Sequence, residues 1–450
     1  MLTTPHPPIA QALATRSWRP IHYLGSKLRI TEQIRELLRQ IDPSSRPVCD
    51  LFAGSGTVAA ALASSRDVIA ADIQEYSRVL CSAVLNPAKI IPAEVQDIVA
   101  AVTNSRFYQD LIWSFHPLIA EEQRRIKLAQ HGKLAGICAL LENSPIELYD
   151  DGDRDLKVAI RESRRRLKAT RNESGPQTVT ARHFGGVYFS YQQAVQLCAL
   201  LSHANTQSVD RKDVVFAAVM STASEIVNTV GKQFAQPLQI RDAEGKAKPH
   251  LIAKIARDRQ LNVFEIFSQW LEQYGSVPRT DRAHKALCSG FSTTLDQHCA
   301  DVGVIYADPP YTRDHYSRYY HVLETMCLGD EPEISQGKTE GQLRPSRGVY
   351  RVGRHQSPFC IKSEAPKAFE RMFTRIRELE VPLVLSYSPL PNSSKPRPRV
   401  MTIEDISVLA FRFFKSVEHV SVEQMSHNKL NTARFNSETS ANAEIFLICT

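Results

Sequence analysis

The stretch Ile305-Tyr306-Ala307-Asp308-Pro309-Pro310-Tyr311 decides how this chain is read. With the residues just before it, Val302 to Ala307 is a short apolar run of the kind that forms a buried strand. Two prolines then end it, because proline lacks a backbone N–H and fixes φ. A stiff turn results at the C-terminal end of a strand, carrying the Asp308 carboxylate and the Tyr311 ring in a nearly fixed relation. The carbonyls of that turn join no ladder and are free to accept from a ligand. Such a turn suits a flat ring bearing an exocyclic amine, whose hydrogens go to the carboxylate and a carbonyl while the tyrosine stacks on the ring. An ordinary strand-ending turn with an incidental aspartate is the competing reading, and only the surroundings separate the two.

Upstream, Val48 to Phe52 reads as a second apolar strand, followed by Ala53-Gly54-Ser55-Gly56-Thr57-Val58 and a small-residue helix over Ala59 to Ala63. A strand, a glycine-rich turn and a helix make the first half of a nucleotide-type βαβ unit. Gly54 and Gly56 allow close backbone approach, and a helix N-terminus offers free N–H groups. A further strand, Asp67 to Ala71, ends in Asp72, whose carboxylate sits where a ribose diol would be accepted. Gly54-x-Gly56-x-x-Ala59 also fits a dinucleotide fingerprint, so a nicotinamide oxidoreductase is a rival. Asp50, just before the turn, faces an amine or cation better than a pyrophosphate, which favours a charged amino-acid ligand. Before this unit, Tyr23-Leu24-Gly25-Ser26-Lys27 leads into a helix to about Gln40, with Ser26 as its expected N-cap. Lys27 at a helix start opposes the macrodipole and calls for an anionic partner such as a ligand carboxylate, with a solvated surface lysine as the equal alternative.

Between these blocks the texture changes. Residues 91–277 carry helical apolar patterns broken at Pro117, Pro145 and Pro176, which predicts an inserted, mostly helical lobe between two parts of a catalytic domain, 17–90 and 278–450, after a leader over 1–16. A basic run holds Arg154, Lys157, Arg161, Arg164, Arg165, Arg166, Lys168 and Arg171; most recur at helical spacing, as either a phosphate-binding or a solvated face. Beyond the central strand, Arg313, His315, Arg318 and His321 lie among tyrosines, a composition suited to gripping an unstacked base and its phosphates. Both histidines read more readily as core or hydrogen-bonding groups than as a general base. Residues 331–364 form a basic loop insertion with Arg351 and Arg354, a second DNA-contact candidate expected to order only on binding. Later come a helix over Ala365 to Leu379, strands Leu383 to Tyr387, Val417 to Val422 and Glu444 to Cys449, and a loop Ser426 to Asn431.

Composition sets outer bounds. At 450 residues two or more lobes are expected, and 43% hydrophobic content excludes a disordered chain. A net charge of +7 permits a polyanionic partner without requiring one. Nine cysteines with no CxxC read as reduced, buried residues of a cytoplasmic protein, with no zinc site. Prolines interrupt the N-terminal region where a signal peptide needs an apolar stretch, and no apolar run reaches membrane-spanning length.

Taken in order, Tyr23 to Lys27, Asp50 to Val58, Asp72 and Asp308 to Tyr311 resemble the motif blocks of the Dam-like, alpha-group N6-adenine DNA methyltransferases. Asp72 to Ser77, Val227 to Gly231 and Arg313 to Glu324 look like further segments of a subgroup. The resemblance implies an α/β, Rossmann-like sheet that binds S-adenosylmethionine, with an inserted, mostly helical target-recognition lobe. It implies a methyl acceptor in double-stranded DNA, a monomer or weak dimer, and a cognate restriction endonuclease as a candidate partner. By position, Tyr23 and Phe52 belong to the cofactor site, Lys27 and Asp50 hold the methionine carboxylate and amine, and Asp72 takes the ribose hydroxyls. Asp308 and the Pro309 carbonyl orient the adenine N6, Pro310 stiffens the turn, and Tyr311 stacks on the flipped ring. Arg161, Arg164, Arg165, Lys168, Arg313, Arg318, Arg351 and Arg354 are the DNA-contact candidates, and no metal is implied. In one departure, Ser289-Gly290-Phe291 lacks the acidic residue the family often has before that phenylalanine, so Phe291 packing is the feature carried over. Cytosine-N4 or RNA-base methylation and a non-catalytic DNA-binding subunit are the alternatives.

Overall fold

The computed structural model describes residues 18–146, 153–339, 342–388, 399–421 and 444–450. The expected leader, Val422 and the loop Ser426 to Asn431 lie outside them. Nine strands are described: β1 Val48–Leu51, β2 Val68–Asp72, β3 Lys285–Cys288, β4 Val304–Ala307, β5 Gln336–Thr339, β6 Gln342–Pro345, β7 Leu383–Tyr387, β8 Val417–Ser421 and β9 Ile445–Cys449. Seven form one sheet in the order β3-β2-β1-β4-β7-β9-β8, while β5 and β6 pair as a separate hairpin. The first five strands of the sheet are parallel, and β9 runs antiparallel to both β7 and β8. The mixed, mostly parallel sheet is consistent with a methyltransferase fold.

The inner strands are apolar on both faces because helices cover both. Val48, Val68, Ala70, Val304, Tyr306 and Val384 point to one face, and Cys49, Leu51, Ile69, Ile305, Ala307 and Leu385 to the other. The second face packs on helices Phe291–His298, Ala365–Glu378 and Ile403–Ala410. On the first face the core continues through helix Glu75–Leu85 into the helices between Pro92 and Gly275, so sheet and helical region share one hydrophobic interior. Because β1 neighbours β2 on one side and β4 on the other, the sheet reverses its order between β1 and β4. A crevice at their carboxyl ends is where ligands of open α/β sheets bind.

Several expectations are corrected. The first helix runs Thr31–Ile41 with Ile30 at its N-cap, not Ser26. The segment before it folds inward instead of winding, because the Lys27 ammonium is drawn onto two carboxylates at the carboxyl end of the parallel strands. Pro117 does not break the helical region but lies inside the 25-residue helix Arg106–Gln130. Proline there deprives the Trp113 carbonyl of its usual donor, and Arg166 Nη1 supplies one at 3.0 Å. Among the described residues of the insertion 331–364, Val349, Tyr350, Phe359 and Cys360 are buried, and Tyr350 Oη donates to the Ala235 carbonyl. Its aromatic residues supply the apolar burial that its basic, glycine-containing composition masked.

Candidate active site

A cavity of ≈ 260 Å³ opens at the carboxyl ends of β1, β2 and β4. Its wall includes Tyr23, Phe52, Asp72, Phe291, Asp308, Pro309, Pro310 and Tyr311. Motifs separated by more than two hundred residues thus meet in one place, because each ends a parallel strand of the same sheet or packs over one. Lys27, Asp50, Gly54 and Gly56 are not part of that wall. Asp50 lies just behind it, next in sequence to the wall residues Leu51 and Phe52.

Phe52 leaves β1 with φ 65°, an uncommon conformation for a bulky residue. Its ring meets Phe291 and Phe359 at centroid distances of 6.1 and 5.3 Å, making an aromatic wall. The Asp72 carboxylate accepts from the Gly54 and Gln74 N–H groups, both at 3.0 Å, and so ties the glycine turn to the end of β2. The two glycines are required by packing already present. A Cβ at Gly54 would lie 2.6 Å from the Tyr23 ring, and one at Gly56 would lie 3.3 Å from Cys81 Cα. Tyr23 in turn stacks on Tyr320 at 5.1 Å.

Asp50 is buried, and burial first, then the nearby Asp308 and Asp72 charges, push its carboxyl well above the usual carboxylate range. One of its oxygens, Oδ2, has no hydrogen-bond partner among the described residues. A buried orphan acceptor calls for a donor, and a cation best of all.

Asp308 stands at the mouth of β4, and its Oδ2 lies 2.9 Å from Lys27 Nζ. The same ammonium is 2.9 Å from Glu444 Oε1, which also accepts from Ser386 Oγ. Burial opposes the Lys27 charge, yet the two carboxylates raise its pKa well above the ordinary value. Lys27 is therefore an internal counter-ion, neither a helix-start charge nor a solvated one. Tyr311 packs against Tyr387 at 5.2 Å and under the Arg399 guanidinium at 4.6 Å. Burial pushes its phenol up to about 12, so the ring is neutral at working pH.

Glu444, Arg399, Tyr387, Tyr316 and His355 were not singled out by sequence reasoning. Glu444 precedes the last strand as one acidic residue among many, and no spacing ties it to Lys27. The basic candidates divide. Arg161 and Lys168 lie exposed on helix Arg154–Ala169 and Arg313 is exposed in its loop, whereas Arg165 is held by Glu162 at 2.8 Å. Arg164 Nη2 donates to the Ile146 carbonyl at 2.6 Å, and Arg351 is paired with Asp330 at 2.5 Å. Arg318 and Arg354 both lie over the Tyr350 ring. His321 is buried, with Nε2 3.2 Å from the Phe234 carbonyl, as a core histidine.

No helix among the described residues is long and apolar enough to cross a membrane. Residues 23–115 match the family model described as D12 class N6 adenine-specific DNA methyltransferase. Over 160 residues, 36% of this chain and 22% of the relative, the chain is 32% identical to Modification methylase LlaI of Lactococcus lactis subsp. lactis. Over 85 residues, 19% of this chain and 11% of the relative, it is 36% identical to Type II methyltransferase M.FokI of Planomicrobium okeanokoites. The matched stretches span less than a quarter of either relative. The motif blocks and these matches agree: over the segment that carries β1 and β2, the chain is similar to the D12 class N6 adenine-specific DNA methyltransferases.

Proposed function

We propose that the protein transfers the methyl group of S-adenosylmethionine to the N6 amine of a flipped-out adenine in duplex DNA, within a restriction–modification or other prokaryotic DNA-marking system. The observation that carries this reading is the placement of Asp308-Pro309-Pro310-Tyr311 at the end of β4, on the wall of the cavity that also holds Phe52, Asp72 and Phe291. One cavity thus offers a cofactor side and an amine-orienting side within reach of each other.

The residues present fit the cofactor. The orphaned Asp50 Oδ2 suits the methionine ammonium, the Asp72 carboxylate on the cavity wall at the end of β2 suits ribose hydroxyls, and the Phe52–Phe291 wall suits a purine ring. When bound, S-adenosylmethionine supplies an electrophilic methyl on a sulfonium. Lys27 is reassigned from the ligand carboxylate to Asp308, whose carboxylate it orients. Asp308 and the Pro309 carbonyl accept the two N6 hydrogens and draw the nitrogen lone pair out of conjugation with the ring. Alignment then supplies much of the rate. Extruding the base costs a few kcal/mol, and stacking on neutral Tyr311 returns roughly 1–3 kcal/mol. The helices between Pro92 and Gly275 are the proposed target-recognition lobe, with exposed Arg161 and Lys168 as its phosphate contacts.

The test compares wild type with Asp308→Asn in transfer of labelled methyl to unmethylated plasmid DNA, with calorimetry for cofactor binding. The variant is expected to lose transfer by roughly 10²–10³-fold or more and to keep cofactor affinity within about threefold, near 0.65 kcal/mol at RT ≈ 0.59 kcal/mol. Loss of both together would remove Asp308 from the amine-orienting role.

A further inference from the structure

Two guanidiniums, one and two residues from the cavity-wall residues His355 and Tyr316, have no counter-charge among the described residues. Arg318 and Arg354 each lie over the Tyr350 ring, both 4.7 Å from its centroid. Arg318 Nε is buried with no hydrogen-bond partner. Neither side chain meets a carboxylate, unlike the neighbouring Arg351, which Asp330 neutralises. The two segments that carry them are tied together, Gln356 Nε2 lying 3.2 Å from His315 Nε2, and Tyr316 and His355 from the same segments line the cavity. Burial, with Arg318 adding to it, lowers the Arg354 pKa, so the pair is held together against its own repulsion.

Like charges on one aromatic platform, partly desolvated and unpaired, suit an anion that accepts two planar forks at once. The position selects which anion. A base entering the cavity would keep its backbone outside, beside the segments that carry Tyr316 and His355. We propose that Arg318 and Arg354 together grip one backbone phosphate next to the flipped adenosine, with Tyr350 as the platform that fixes both. This rests on the DNA-methyltransferase reading above. Arg351 is a structural residue that anchors the platform through Asp330.

The test measures binding of the full chain to duplex DNA as a function of NaCl, with cofactor affinity and thermal unfolding measured beside it. Arg318→Gln, Arg354→Gln and the double variant are compared with wild type. Each single variant is expected to weaken DNA binding roughly tenfold and to reduce the salt slope by about 1. The double variant reduces the slope no further, because one phosphate is lost and not two. Arg→Lys at either position keeps the slope and loses part of the affinity. Should a glutamine variant fail to fold, Arg318→Met and Arg354→Met remove the charge with an unbranched apolar side chain and carry the same comparison. An unchanged slope in the double variant overturns the proposal. So does a fall of about 2, which means separate phosphates, and so does a loss of cofactor affinity in place of DNA affinity. A wild-type protein that methylates no DNA overturns the functional reading and the clamp together, whereas an active wild type with indifferent variants overturns the clamp alone.

Discussion

Lys27 ties the proposed amine-orienting carboxylate of Asp308 to the stability of the fold. It is buried between Asp308 and Glu444, so its removal leaves two carboxylates without their shared cation. Breaking a buried pair from one side costs about 3–5 kcal/mol. Lys27→Met is therefore expected to lower the unfolding free energy by about that amount, and to depress methyl transfer because Asp308 loses its orientation. Chemical denaturation checks the first part; an unfolding midpoint equal to wild type would mean the ion triad carries no net stability. At this scale Asp308, Tyr311 and Asp72 were legible because each has a local marker, two prolines or a strand end. Lys27 was legible as needing an anion, but the identity of that anion was not, since Glu444 lies more than four hundred residues away in sequence.

At the scale of elements, helix Arg106–Gln130 crosses a proline because another helix repairs it. Arg166 donates to the carbonyl that Pro117 leaves without a donor, and its guanidinium also stacks on the Trp113 ring at 4.9 Å. Arg166→Ala is expected to cost about 1 kcal/mol. In a Pro117→Ala background the same change should cost less, because the alanine N–H then serves Trp113. A double-mutant cycle by thermal unfolding measures this coupling, and strict additivity would reject the repair. A sequence reading places a break at proline because the local rule holds for an isolated helix; the compensating arginine lies about fifty residues away. The insertion 331–364 escaped for a related reason. Its charge dominated the reading, while the few residues that bury it, Val349, Tyr350 and Phe359, have no periodicity to announce them.

For the whole molecule, the sheet and the helical region share one interior, and His321 sits in it. Burial first, and then Arg354, with Arg351 and Arg318 adding to it, lower its pKa to about 3. The unfolded imidazole titrates near 6.5. The folded state thus binds fewer protons than the unfolded state between those values, so this contribution to stability is complete above about 6.5 and is lost as pH falls toward 3. His22 and His183, each lowered to about 4, act in the same direction. Thermal midpoints from pH 7 to 4 should fall, and fall less in His321→Gln; parallel curves would show that His321 is not one of the groups responsible. The parallel half of the sheet was legible in the sequence because each inner strand is a short apolar run ended by a marked turn. The shared interior was not, because the helical residues that complete it repeat at ordinary helical spacing and carry no sign of what they face.

Methyl transfer at Asp308 to Tyr311 is decided by analysis of the nucleosides in the product. Unmethylated duplex DNA is incubated with the protein and methyl-labelled S-adenosylmethionine, digested, and its nucleosides separated. Label is expected in N6-methyladenosine, and Tyr311→Ala is expected to lower its rate of appearance by roughly 5- to 150-fold, the equivalent of about 1–3 kcal/mol of stacking. Label in N4-methylcytosine, or in no nucleoside of DNA while label enters RNA, would contradict that expectation.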